Sequence, residues 1–505
     1  MAVFAVGLAL RVVGIGWGLP GTVSADEPPI HPDEHVAYVA AADLHATPGA
    51  MTFIYGGALY PRIAHVVRSG VGLVAPDARR EFRWTLLGLR GLGVLAGLAT
   101  ALLVAWIARG VAGDGAAVAA CALFLAFPNH ALACHHARPD VLMTFLATAA
   151  LACAYGVARG AGPVWLFGGA VAAGAATATL LSGMIGFAPL AVASLERMPR
   201  GGPRLAALAA SGLRVAGGGV LGFALGSFES LQHWDAFRAG LSRAAATHPG
   251  GLPLDLLTVS AAYGFGVPAA IAGYLGLVWM VLRRRPGLPT LASHALVGFI
   301  LLARVGGDMM RHLLLVAPVM AIAATAGIAW LAERSPLRVG RAALVGQVAM
   351  VLFTLQLSAG YVLPMGLAED PRYRAGRWLA ERTPEGARIG VTLSYYGDHS
   401  YQPRLPEGSG RVLVPLQLRE NFDASRYLSR DLDYVVTTDF ARRRASGSTA
   451  PAFFEALFRG DRFRVVEELG PAWTPLSLPH ALGIRPPGDL LYVRPTFSVL
   501  ARVGR

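Results

Sequence analysis

The strongest constraint on this chain is a series of apolar runs, each about the length that a helix needs to cross a lipid bilayer. The runs recur between residues 1 and 363 and are separated by polar stretches. The whole chain is 54% hydrophobic and 15% charged, whereas soluble domains average about 25% charged residues. The sequence therefore predicts a polytopic α-helical membrane protein, with about eleven transmembrane helices over residues 1–363.

The composition changes after residue 363, where long apolar runs no longer occur. Residues 364–505 contain short alternating segments that are typical of strands, together with polar helical patterns. The predicted strands are Ala387–Leu393, Tyr434–Thr438, Phe463–Glu468 and Leu490–Arg494, and the predicted helices are Arg372–Arg382 and Pro451–Phe458. We therefore expect a C-terminal soluble α/β domain of ordinary size.

The chain is strongly basic, with a formal net charge of +13, and it contains no Lys, so all 44 basic residues are Arg. Nucleic-acid binding is the first alternative for such a protein, but many of the arginines lie between apolar runs, so topology explains them. The clusters on alternate loops are Arg109, Arg159, Arg197–Arg204, Arg283–Arg285 and Arg334–Arg341. By the positive-inside rule these loops and the amino terminus are cytoplasmic, and the C-terminal domain is extracytoplasmic.

The first apolar run, residues 1–19, contains one charge, Arg11. A charge at the centre of a membrane helix is costly unless it faces protein or a polar cavity. We therefore interpret this run as an uncleaved first span whose Arg11 side chain faces protein rather than lipid.

Two adjacent carboxylates, Asp33 and Glu34, follow this span and are flanked by His31 and His35. Acidic and imidazole groups at the edge of a bilayer usually serve a site, and a carboxylate can act as a general base. The alternative is ordinary helix-start chemistry, in which Pro32 occupies the first position and acidic residues favour the first turn.

Two further polar groups precede later spans, and all three groups are expected on the extracytoplasmic side. The second group comprises His135, His136, Arg138 and Asp140, and the third, residues 304–312, contains Arg311. Arginine binds phosphate in a bidentate manner, so Arg138 and Arg311 are candidate phosphate ligands. Asp140 with His135 or His136 is a speculative site for a divalent metal cation such as Mg²⁺ or Mn²⁺. The alternatives are that the histidines occupy the interface and that Asp140 stabilises a helix start.

The order of these motifs resembles a known family. Gly18-Leu19-Pro20 leads to His31-Pro32-Asp33-Glu34, followed by the His-x-x-Arg-Pro-Asp segment at residues 135–140 and by Arg311-His312-Leu313. The chain is similar to the bacterial polyprenyl-phosphate-dependent glycosyltransferases of the GT-C superfamily, which are related to protein O-mannosyltransferases and to the lipid A aminoarabinose transferase.

The resemblance implies a multi-pass glycosyltransferase of the bacterial inner membrane. Its donor is a sugar on polyprenyl phosphate, its acceptor is an extracytoplasmic glycan, lipid or protein, and its displacement inverts the sugar. It implies that Asp33 is the catalytic carboxylate with Glu34 beside it, and that Arg138 and Asp140 occupy the second-loop positions. Relatives often carry a Lys near the fifth and sixth spans, where this chain has Thr179-Leu180-Leu181-Ser182, so that phosphate contact is either missing or supplied by Arg62 or Arg311.

Two other functions remain open from the sequence. A lipid or lipid-linked sugar transporter would also line a path with charged groups, although such proteins usually show broken helices or inverted repeats near the midplane. A structural scaffold would explain the C-terminal domain but not the polar loops.

Overall fold

A computed structural model describes residues 1–19, 31–44, 53, 56–198, 204–246, 254–283, 285–305, 309–393, 402–417, 431–444 and 450–504. Pro20, Arg284 and residues 199–203 and 306–308, on which parts of the sequence interpretation fall, lie outside the described residues. The chain divides into two compact units. The first comprises Met1–Ile15, Asp33–Val362 and Pro475–Arg485, and the second comprises Gly16–Pro32, Leu363–Thr474 and Pro486–Arg505.

The first unit is helical. Its helices are α1 (Ala2–Val12), α2 (Pro32–Asp43), α3 (Leu59–Gly72), α4 (Ala78–Ala126), α5 (Pro128–Ala133), α6 (Asp140–Ala158), α7 (Pro163–Thr179), α8 (Phe187–Glu196), α9 (Arg204–Gly226), α10 (Phe228–Gln232), α11 (Trp234–Ala246), α12 (Ala261–Gly264), α13 (Val267–Leu282), α14 (Leu288–Val305), α15 (Ala317–Arg334) and α16 (Leu337–Leu367). Two 3₁₀ segments (Leu181–Gly186 and Met310–Leu315) and a π turn (Leu256–Ser260) extend some of these helices.

Helix α4 carries the second and third spans that the sequence predicts, residues 84–108 and 115–127, on one helical stretch. Its backbone leaves the helical region at Ala112 and at Gly113, where φ is 82°, a conformation that favours glycine. This break falls between the two apolar runs, so it separates the two helices that the sequence predicts. A similar break at Gly266, with φ of 82°, divides the eighth span that the sequence predicts, residues 257–282, between α12 and α13.

Close helix packing in this unit depends on glycine. A Cβ atom added at Gly222 of α9 would lie 2.1 Å from the carbonyl oxygen of Val171 on α7, and one added at Gly174 would lie 2.2 Å from that of Gly219. Without side chains at these positions the two backbones approach each other directly, which is the usual way that membrane helices pack.

Four described helices are long and apolar enough to cross a membrane by length and composition, namely α4, α6, α9 and α16. Shorter apolar helices cover Ala2–Val12, Pro163–Thr179, Leu181–Glu196, Val267–Leu282 and Leu288–Ala303. Apolar helices therefore dominate the first unit, as the sequence predicts, but the predicted number of about eleven spans is not established by these lengths.

The second unit contains a five-stranded mixed sheet with the strand order β2-β1-β3-β5-β4. The strands are β1 (Arg388–Leu393), β2 (Val412–Gln417), β3 (Tyr434–Thr438), β4 (Phe463–Leu469) and β5 (Phe497–Arg502). β1 is parallel to β2 and β3, whereas β5 is antiparallel to β3 and β4. The predicted α/β character of this region is therefore confirmed.

Both faces of this sheet are covered by helices. Val436 and Val499 pack with Leu379 of the helix α17 (Pro371–Arg382). Their neighbours Val435 and Leu500 point to the other face, because successive strand residues alternate, and they pack with the helix Ala450–Phe458. The prediction of a strand at Leu490–Arg494 is wrong, because Gly488–Val493 forms a short helix.

A buried cluster joins residues near the end of the first apolar run to the start of α17 within the second unit. The indole of Trp17 donates to Asp370 at 3.0 Å, and the buried guanidinium of Arg372 pairs with the same carboxylate at 3.1 Å. Asp370 also caps α17 by accepting from the Arg372 amide, with Pro371 at the first helical position.

Candidate active site

The centre of the candidate site is a chain of ion pairs between the start of α2 and the start of α6. The guanidinium of Arg138 lies 2.6 Å from Oδ2 of Asp33 and donates from Nε to Oδ2 of Asp140 at 3.0 Å. Arg138 and Asp140 are almost buried, whereas the Asp33 side chain keeps 33% of its surface exposed. Asp33 is therefore the carboxylate of this cluster that is most open to a reactant.

The surrounding charges keep Asp33 ionised. Burial raises the pKa of this carboxyl, but Arg138, Arg311 and His136 together outweigh that effect and hold the pKa below its usual value. The structure thus brings the first, second and third polar groups of the sequence into electrostatic contact around one carboxylate.

Glu34, the neighbour of Asp33, has a different environment. Its side chain is fully buried and accepts two hydrogen bonds from Arg90 of α4, at 2.8 and 2.7 Å. It also accepts from the backbone amide of Ala137 at 2.6 Å. Because these partners lie on α4 and on the loop that carries Arg138, Glu34 joins α2 to both of them.

Arg90 completes this support by donating to the carbonyl oxygen of Ile15 at 2.6 Å. Sequence reasoning did not single out Arg90, although a signal was present, since a charge within the apolar run of the second span implies a buried partner. The same argument applied to Arg11 is confirmed. Arg11 is fully buried, donates to the carbonyl oxygens of Gly7 and Leu125, and lies 2.8 Å from Nδ1 of His130.

His135, one of the two histidines proposed as metal ligands on the second loop, contacts backbone carbonyl oxygens with both ring nitrogens. Nδ1 of His135 lies 2.9 Å from the carbonyl oxygen of Ala131, and Nε2 lies 2.8 Å from that of Val13. Both nitrogens that could ligate a metal therefore face carbonyl oxygens. His135 instead fastens α5 to the segment that follows α1.

The described residues do not supply a three-ligand metal site. No group of three His, Cys, Asp or Glu side chains in the described part of the chain could hold a metal ion. Asp140 is paired with Arg138, and both ring nitrogens of His135 contact backbone carbonyl oxygens. The predicted set of Asp140, His135 and His136 therefore does not fit a metal such as Mg²⁺ or Mn²⁺.

The predicted phosphate-binding arginines occupy different places. Arg311 lies on the 3₁₀ segment Met310–Leu315 and is half-buried. Its positive charge lowers the pKa of Asp33. Arg62 of α3 instead donates to both carboxylate oxygens of Glu229 and to the carbonyl oxygen of Leu225. These contacts connect α3 to the junction of α9 and α10.

An apolar cavity of about 720 Å³ lies along α7, α8 and α9. Its lining extends from Leu195 and Leu208, near the end of α8 and the start of α9, to Phe223 near the end of α9 and Leu231 of α10. The ion-paired residues Asp33, Arg138 and Asp140 are not among its lining residues, so this cavity and the charged centre are distinct features of the first unit.

Two solved structures share the fold of this chain. ArnT from Cupriavidus metallidurans bound to undecaprenyl phosphate is 17% identical, with a TM-score of 0.51, and the match covers 99% of this chain and 97% of that one. The Archaeoglobus fulgidus oligosaccharyltransferase in complex with Zn and sulfate is 15% identical, with a TM-score of 0.51, over 94% of this chain and 72% of that one. No protein-family model and no curated protein sequence matches the chain.

These matches define the class of fold. The chain shares the fold of ArnT and of the oligosaccharyltransferase, and the GT-C resemblance inferred from its short motifs is confirmed at the level of fold. The near-complete coverage of both chains in the ArnT match extends the likeness to the C-terminal α/β region.

Proposed function

We propose that this protein is a membrane glycosyltransferase that moves a sugar from a polyprenyl-phosphate donor to an extracytoplasmic acceptor, with Asp33 as the base. The observation that carries the proposal is an ionised, partly exposed carboxylate held by a cationic group at the start of α2. The fold supports it, because ArnT, which shares this fold, has been solved bound to undecaprenyl phosphate.

The proposed reaction is a single inverting displacement. An acceptor hydroxyl oxygen attacks the anomeric carbon of the donor sugar while its proton passes to the carboxylate of Asp33. The bond between that carbon and the phosphate oxygen breaks, and the phosphate leaves with the bonding electrons. The low pKa of Asp33 ensures that this group is ionised before the acceptor arrives.

The leaving phosphate gains charge and needs cationic stabilisation. We assign this role to Arg311, whose charge already reaches Asp33 from the 3₁₀ segment. Arg138 is assigned a shared role, because it orients Asp33 and Asp140 through ion pairs and adds positive charge beside the base. Arg62 can contribute only if its pairing with Glu229 is broken.

Glu34 is proposed as a positioning residue rather than as a second catalytic carboxylate. Its carboxylate is fully buried and holds Arg90 and the Ala137 amide. It fixes the first turn of α2, and therefore Asp33, against the loop that supplies Arg138. No step in the proposed reaction passes through a metal, because Asp140, His135 and His136 do not fit one as a ligand set.

The apolar cavity along α7, α8 and α9 suits the hydrocarbon part of a lipid-linked donor. Its lining is aliphatic and aromatic apart from small hydroxyl side chains such as Thr177 and Ser211. An isoprenoid chain gains from burial in such a surface because the driving force is proportional to the apolar area covered.

The test is incubation of the purified, full-length protein with a panel of polyprenyl-phosphate pentoses and hexoses, together with extracted envelope material as the acceptor. We expect one donor to release free polyprenyl phosphate as its sugar appears on acceptor material. If the wild-type protein consumes none of the donors but carries them across proteoliposome membranes intact, the transporter alternative is correct and the proposal fails.

A further inference from the structure

A short segment of the C-terminal region, which has one charged residue at its end, Arg485, belongs by its contacts to the first unit. Residues Pro475–Arg485 group with the apolar helices, although the chain on either side groups with the sheet. From Gly470 to Ile484 the sequence contains no Asp, Glu, Lys or Arg, and five of the residues from Pro475 to Ile484 are Leu, Ile or Ala. We call this segment the Pro475–Ile484 loop.

The loop contacts α16 well inside that helix. The side-chain amide of Gln356 donates to the carbonyl oxygen of Leu476 at 2.6 Å. One turn further along, a Cβ atom added at Gly360 would lie 2.5 Å from Cβ of Pro475. Gln356 precedes Leu363, the end of the predicted span, by about 10 Å at the helical rise per residue. The loop therefore reaches the depth of the apolar part of α16.

The backbone of the loop is largely satisfied within the protein. Ser477 accepts from the His480 amide, and its carbonyl oxygen accepts from Ala481. The amides of Leu482, Gly483 and Ile484 bond to carbonyl oxygens within the loop. The carbonyl oxygen of Ile484 accepts from the hydroxyl of the buried Tyr263 at 2.7 Å. Such pairing is the condition under which irregular backbone is tolerated in a bilayer.

The apolar side chains of the loop face outward. The exposed fraction is 79% for Leu476, 52% for Leu478 and 66% for Leu482. These fractions match those of apolar residues on the outer surface of α16, such as 68% for Val345 and 58% for Leu352. The exposed surface of the loop is thus as apolar as the outer surface of α16, a helix long and apolar enough to cross a membrane.

We propose that the Pro475–Ile484 loop is a re-entrant membrane segment, whose three exposed leucines contact the acyl chains of the leaflet at the carboxyl end of α16. The occupant of this surface is the lipid bilayer, because the loop lies at the depth of an apolar span, contains no Asp, Glu, Lys or Arg, and has much of its backbone hydrogen-bonded to protein. The inference does not depend on the proposed glycosyltransferase activity.

Spin labels measure this placement directly. Single cysteines at Leu476, Leu478 and Leu482 are introduced into a full-length protein in which Cys121, Cys134 and Cys153 are replaced by Ala, and each is labelled with a nitroxide in lipid nanodiscs. Collision with oxygen, which concentrates in hydrocarbon, is compared with collision with a water-soluble nickel chelate. Leu352→Cys is the lipid control, and Glu455→Cys, at an exposed position of the helix Ala450–Phe458 in the second unit, is the aqueous control.

We expect the three loop positions to behave like Leu352, with oxygen collisions dominant. Nickel-dominated collisions like those of Glu455→Cys overturn the proposal. Weak collisions with both reagents also overturn it, because they mean that protein, such as a second copy of the chain, covers the leucines.

A second measurement avoids substitutions in the loop. The wild-type protein is placed in nanodiscs containing a phospholipid with a photoreactive diazirine near the end of its acyl chain, and the labelled residues are mapped by mass spectrometry. Lipid adducts on residues in the range 476–484 are expected. Adducts on α16 but none on the loop would contradict the inference.

Discussion

At the residue scale, Asp33 and Glu34 show how adjacent carboxylates acquire different roles. Neighbouring residues on a helix point about 100° apart, so Glu34 turns into the protein and meets Arg90, whereas Asp33 stays partly exposed beside Arg138. The motif identified both residues. It could not separate their roles, because these depend on which distant arginine reaches each carboxylate.

The pKa of Asp33 leads to a prediction about pH. Its pKa is depressed by neighbouring cations, so Asp33 stays ionised until the pH falls through that low value, and activity is lost only below it. In Arg138→Gln the pKa rises, and the acid limb of the pH–rate profile moves towards neutrality by about one unit. Measured donor turnover across pH checks this expectation.

Arg138→Lys is the matched control for that prediction. It keeps the positive charge but loses the planar guanidinium that bridges Asp33 and Asp140. We expect a lower rate with an acid limb close to that of the wild type. An unchanged profile in Arg138→Gln would show that Arg138 does not set the charge of Asp33.

At the element scale, the buried Glu34–Arg90 pair fixes α2 against α4. Glu34→Gln leaves the Arg90 charge without its anionic partner, and breaking a buried pair in this way costs about 3–5 kcal/mol. We expect the unfolding temperature of the purified protein to fall together with its activity. Asp33→Asn, which alters a partly exposed group, should leave the unfolding temperature close to that of the wild type.

The packing of α7 against α9 gives a second prediction at this scale. In Gly222→Ala the new methyl group meets the carbonyl oxygen of Val171 at 2.1 Å, and overpacking of this kind costs about 1–3 kcal/mol. Gly217→Ala, on the same helix, has nothing within 4 Å of the new methyl group. The unfolding temperature in detergent should therefore fall in Gly222→Ala only. The same unfolding temperature in both variants would contradict the packing described.

Most helices were predictable from the sequence, because long apolar runs admit few other structures in a bilayer. The break at Gly113 follows from the charges between two runs.

The strands of the second unit were less predictable. β2 carries Pro415, which a sheet tolerates at an edge, and β2 is the edge strand. The run Leu490–Arg494 is too short for periodicity to distinguish a strand from a helix.

The site was predictable only in part. The residues Asp33, Arg138 and Asp140 were found because polar groups at span ends are unusual. The role of Arg90 and the backbone contacts of His135 depend on segments far apart in sequence, so local patterns could not supply them. The pairing of Arg62 with Glu229 is of the same kind, since 167 positions separate the two residues.

At the scale of the whole molecule, the distribution of arginine leads to a prediction about orientation. If the arginine-rich loops are cytoplasmic, the C-terminal sheet is extracytoplasmic. Single cysteines at Arg338 and Glu455 distinguish the two sides. In intact bacterial cells, a membrane-impermeant maleimide should label Glu455→Cys, and it should label Arg338→Cys only after permeabilisation. The reverse pattern would place the proposed site on the wrong side of the membrane.

If the ionised carboxylate of Asp33 takes the acceptor proton, its loss must slow the release of lipid phosphate, and the rate of that release by Asp33→Asn measures this role. We predict a loss of about 10²- to 10⁴-fold, the usual contribution of a general base. Asp43→Asn, which makes the same change at the last residue of α2, should retain the wild-type rate. Wild-type turnover by Asp33→Asn would show that Asp33 does not take the acceptor proton.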